Sequence, residues 1–68
     1  MEESWTREVE VCGERFQLRF FRRAFREGLE VRVDVRGKEI SLAELGLGER
    51  ALIERATARI EEELRARP

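Results

Sequence analysis

Leu29-Glu30-Val31-Arg32-Val33-Asp34-Val35-Arg36 decides the fold. Apolar and charged residues alternate through it without a break, the period of a strand with one face buried and the other wet. Arg26-Glu27-Gly28 before it and Gly37-Lys38 after it read as turns. Upstream, residues 5–12 alternate as well, with Trp5, Val9 and Val11 on one face and Glu8 and Glu10 on the other. Gly13-Glu14 reads as a tight hairpin turn, with Cys12 as a small residue ending the strand before it. From Arg15 the alternation resumes, Phe16, Leu18 and Phe20 against Arg15, Gln17 and Arg19. Downstream, Ile40 and Leu42 carry the pattern into a short fourth strand over residues 39–42. Ser41-Leu42-Ala43-Glu44 also has the form of a capping box, so a helical turn through Leu45, ended by Gly46, competes with that strand.

The last third of the chain changes period. Leu52, Ala56, Ile60 and Leu64 recur every four residues and, with Ile53, make one apolar stripe. This predicts a helix from about Gly48 to about Ala66, with Gly48 as N-cap and Leu47 and Leu52 in the positions of a hydrophobic staple. Glu61→Arg65 and Glu63→Arg67 have the favourable order for pairs four apart. The expected fold is α+β, a single domain over residues 1–68. A three- to four-stranded antiparallel meander is packed on one face by the C-terminal amphipathic helix. Acidic and basic residues on the wet face predict a lattice of cross-strand ion pairs.

Composition narrows the chemistry. The 68 residues contain no His, Tyr or Asn, one Cys and few hydroxyls. Without His the commonest general base near neutral pH is missing, and a lone Cys excludes an intrachain disulfide or a Cys-rich zinc site. The expectation is a non-enzyme with no catalytic, cofactor or metal residues. The 14 basic side chains nearly cancel the 15 acidic ones, and Arg (13) and Glu (14) dominate, a thermophile-like balance. No apolar run approaches the roughly 20 residues of a membrane span, and the polar, acidic N-terminus is unlike a secretory signal. A cytoplasmic protein without a membrane partner is expected.

Residues 15–26 depart from the pattern: all four Phe and five Arg, with no acid. The strand alternation breaks at Phe20-Phe21, so residues 20–27 could instead form a helical turn carrying Phe21, Ala24 and Phe25. Aromatics and Arg are enriched at the centres of protein interfaces. The candidate interface is Trp5, Phe21, Phe25 and Ile53, with a second copy of the chain as the expected partner and another protein as a further one. An edge strand paired across a two-fold axis would make such a homodimer. The alternative is a nucleic-acid-binding module, with Arg19, Arg22, Arg23 and Arg26 on phosphates and Phe21 or Phe25 stacking a base. The near-neutral charge balance weighs against that alternative.

In element order, residues 6–64 resemble the small antitoxin domains of the HicB type, strands followed by one amphipathic helix. Val35-Arg36-Gly37-Lys38 occupies the place where that family carries a Pro-Asp-Leu-Pro-Gly-type segment. The resemblance implies an antitoxin-type role as a further alternative; it is one of architecture.

Overall fold

The computed structural model describes residues 3–22, 28–44 and 48–66. The strands are β1 (Glu3–Val11), β2 (Glu14–Arg22), β3 (Leu29–Val35) and β4 (Lys38–Glu44), followed by the helix α1 (Glu49–Ala66). The sheet is an antiparallel meander in the order β1-β2-β3-β4. It is therefore an α+β fold, with one helix laid on one face of four strands.

The alternation works as expected where it is strongest. Leu29, Val31, Val33 and Val35 are all buried, and so are Val11, Phe16, Leu18, Phe20 and Ile40 on the other strands. The helical stripe meets them: Leu52, Ala56 and Ile60 are fully buried and Leu64 nearly so, with Ile53 packed at the margin. The helix lies over β3 and reaches β1. Gly48 accepts the first helical hydrogen bond, from Leu52 N–H at 3.2 Å, as an N-cap residue does.

Both described hairpins close one residue earlier than glycine placement suggests. Their central residues are Cys12-Gly13 and Arg36-Gly37, with φ of 52° and 81° in the first and 50° and 84° in the second. Two-residue turns with positive φ at both positions match the right-handed twist of the flanking strands. The glycine thus takes the second central position, and Cys12 and Arg36 belong to turns rather than to the strands assigned to them. A Cβ at Gly13 would meet nothing within 4 Å, so its requirement is set by the backbone alone.

Cys12 is exposed and held in a conformation that Asn adopts far more readily. Cys12→Asn is expected to stabilise the fold by about 1 kcal/mol, which for a chain of this size raises the melting temperature by roughly 4–8 °C. Thermal melts monitored by circular dichroism check this; an unchanged or lower midpoint contradicts the turn geometry.

Two alternatives that the sequence leaves open are decided in favour of strand. Ser41 is no helix cap: it lies inside β4, and its hydroxyl donates to Glu30 Oε2 across the strand pair at 3.1 Å. The period-two placement of Ile40 and Leu42 over the core outweighs the capping-box pattern, because a helical turn would lift Leu42 off it. The helical alternative over residues 20–27 fails for Phe20, Phe21 and Arg22, which are paired in β2. The rest of that alternative (residues 23–27), the Arg26-Glu27 part of the expected turn, and Leu45, Gly46, Leu47 and Arg67 lie outside the described residues.

Candidate functional site

The meander separates the two aromatics that the sequence offers as one surface. Trp5 stands opposite Phe20 in the β1–β2 register, so it shares the helix-facing side of the sheet. Phe21 is one residue further along β2 and points to the side that no described element covers. The two side chains leave opposite faces of the sheet, and both residues border one depression along β1 and β2.

Trp5 extends the core. Its ring stacks on Phe20 with centroids 5.6 Å apart and planes 8° from parallel, and the Arg22 guanidinium lies over it at 5.5 Å. Beside it Arg7 occupies the apolar phase of β1, between Trp5 and Val9, and donates from Nε to the Glu49 carboxylate at the start of α1. Sequence alternation overlooked Arg7. The available signal was a charged residue in a core phase, which a helix carrying a carboxylate in its first turn can use. This pair ties the entry of the helix to the edge of the sheet.

Arg7's hydrogen bond holds the Glu49 carboxyl below its ordinary value; desolvation opposes this, while the Arg7 charge, the Trp5 indole N–H and the Arg22 charge add to it. Trp5 Nε1 is buried and closes no hydrogen bond of its own, so it acts on Glu49 as a nearby dipole. A carboxyl whose folded value is lowered contributes stability above its unfolded value. That contribution is lost as the pH falls through the lowered folded value. Glu49→Gln should therefore lower the thermal midpoint at neutral pH, and the gap from wild type should close as the pH falls below the usual Glu range. Melts from pH 7 to pH 3 measure this; a gap independent of pH contradicts the linkage.

The open face carries the expected ion-pair lattice. Arg19 reaches Asp34 at 3.4 Å and Glu39 at 3.8 Å, Arg15 reaches Glu8 at 3.8 Å, and Arg32 bonds Glu30 at 2.8 Å. Glu30's hydrogen bond, then its charge, raises the Arg32 pKa above its ordinary value. The Arg32 guanidinium also lies over the Phe21 ring at 4.9 Å. Arg36 departs from the expected lattice: it sits in the turn after β3 and bonds Glu14 at 2.6 Å. Exposed pairs of this kind contribute about 0–1 kcal/mol each, so the lattice sets the surface's chemistry more than the fold's stability.

A shallow, solvent-open depression of about 350 Å³ lies along β1 and β2, lined by Ser4, Trp5, Thr6, Arg19, Phe20 and Phe21. Its one charged liner, Arg19, already has two carboxylate partners. Of the other arginines considered for phosphates, Arg22 lies over Trp5, and Arg23 and Arg26 lie outside the described residues, as does Phe25. Ile53 is half-buried against the core on α1. Among the described residues no His, Cys, Asp or Glu cluster has the makings of a metal site, and no helix is long and apolar enough to cross a membrane. Compared with known proteins, the chain matches no family model, no curated protein and no solved structure.

Proposed function

We propose that this chain is a non-catalytic interaction module that works as a homo-oligomer. The observation that supports it is the bare sheet: among the described residues, β1 and β4 each lack a partner on one side, and one whole face has no layer over it. An unpaired edge offers a row of N–H and C=O groups to another chain. Size points the same way, since a single core in a domain this small supplies no more than roughly 3–5 kcal/mol without a disulfide, a metal or association. The open-face arginines favour a protein partner over phosphate, because Arg19 and Arg32 are already matched by Asp34, Glu39 and Glu30.

Sedimentation equilibrium from micromolar to near-millimolar protein tests the reading, together with a gel-shift titration against single- and double-stranded oligonucleotides in low salt. A concentration-dependent dimer with no oligonucleotide shift is expected. A strict monomer that shifts oligonucleotides, with affinity falling steeply as salt rises, overturns it in favour of nucleic-acid binding.

A further inference from the structure

The two free edges differ in whether they can pair with themselves. A two-residue turn closes on a hydrogen-bonded pair, here Val35 with Lys38, so alternation turns the N–H and C=O of Glu39, Ser41 and Ala43 away from β3. Two antiparallel copies of β4 can bring all of these groups together in one register, the one centred on Ser41. Ser41 then faces Ser41, Glu39 faces Ala43, Ile40 faces Leu42, and Lys38 faces Glu44. Read against itself, Lys38-Glu39-Ile40-Ser41-Leu42-Ala43-Glu44 sets opposite charges at its two ends and apolar residues beside its centre; Glu39 against Ala43 is the one unmatched pair, and both are exposed on the wet face.

Neighbouring registers lose this match. Centring on Leu42 sets Ile40 against Glu44, and centring on Ile40 sets Lys38 against Leu42. On β1 the turn at Cys12-Gly13 leaves Ser4, Thr6, Glu8 and Glu10 with the outward groups, and self-pairing over the whole strand sets Arg7 against Arg7. Like charges directly opposite are destabilising. Pairing β1 of one copy with β4 of the next has no two-fold axis and runs on without closing.

We infer that β4 is a homodimer edge, pairing antiparallel with β4 of a second copy about Ser41 to give one continuous eight-stranded sheet with both helices on the same side. Leu42, which is only partly buried, gains Ile40 of the second copy as its cross-strand neighbour. Lys38 reaches Glu63 of its own helix at 3.1 Å, so its ammonium is already anchored on the helix-facing side of β4. The inference rests on the self-association reading and adds the surface, the axis and the register.

Cysteine crosslinking in the full chain tests it, in a Cys12→Asn background. Residues facing each other in a hydrogen-bonded pair have Cα atoms about 5.5 Å apart, within the reach of a disulfide. Ser41→Cys should therefore oxidise to a covalent dimer. Glu39→Cys should not, because its two copies are displaced by about 13 Å along the strands. Ser41→Pro removes an outward N–H that β3 does not use, so the fold should persist while the dimer dissociation constant rises at least tenfold. A dimer that ignores Ser41→Pro, or one crosslinked by Glu39→Cys and not by Ser41→Cys, overturns the β4 edge and leaves self-association standing. A wild-type chain that stays monomeric throughout overturns both.

Discussion

Phe20→Ala unfolds the domain at room temperature, while Phe21→Ala, one residue on, leaves it folded. Phe20 is the largest of the fully buried side chains. It pairs with Val31 on one side, and its ring carries the stacked indole of Trp5 on the other. Removing a buried Phe costs about 3–5 kcal/mol, the lost transfer energy plus the cavity left behind. A core of this size holds no more than roughly that much in total. Phe21 is half-exposed on the uncovered face, and its loss should stay within about 1 kcal/mol, the worth of its contact with Arg32. Far-UV circular dichroism and urea titration of both variants decide the matter. A Phe20→Ala protein that still unfolds cooperatively near the wild-type midpoint would show that the core does not depend on this ring.

The second large effect is Ile60→Asp, which should detach the helix and leave the chain without a cooperative transition. Ile60 is fully buried in the middle of the stripe that lies on the sheet. A carboxylate there has no water and no charged partner, a penalty above about 4 kcal/mol. Released, α1 loses its main support, since most of a helix's stability in a protein comes from the packing of its apolar face. Glu61→Ala, next along the same helix, loses one exposed pair with Arg65 at 3.8 Å and should change stability by under about 0.5 kcal/mol. Loss of the 222 nm signal and a rise in hydrophobic-dye binding, seen in Ile60→Asp alone, is the expected result. Retained helix signal in that variant contradicts the packing.

The elements legible in the sequence were those with a sustained period. Leu29 to Val35 and Leu52 to Leu64 each repeat often enough that a shift of one residue would expose a whole face, so both the element and its inward side could be read. The turns were read one residue late because glycine marks a two-residue turn without saying which of its two central positions it fills. Cys12 and Arg36 accept positive φ against their own preference. Ser41 carried two signals, and the local one lost to the burial of Ile40 and the packing of Leu42. The candidate site was less legible, for a reason of the same kind. Trp5 and Phe21 look alike in the sequence, but the β1–β2 register places them on opposite sides of the sheet. Arg7 with Glu49 joins residues 42 apart, a pairing that no local pattern announces.

The order of elements along the chain has a consequence for synthesis. All four strands precede the one helix that covers them, so on the ribosome the face bearing Phe16, Leu18, Phe20, Val31 and Val33 is made before anything can shelter it. Through that interval the nascent chain is a sticky half-product, exposed to chaperones and to its siblings on the same messenger. Native packing must wait for Ile60 and Leu64 to clear the exit tunnel, so the sheet cannot close its core strand by strand as it is made.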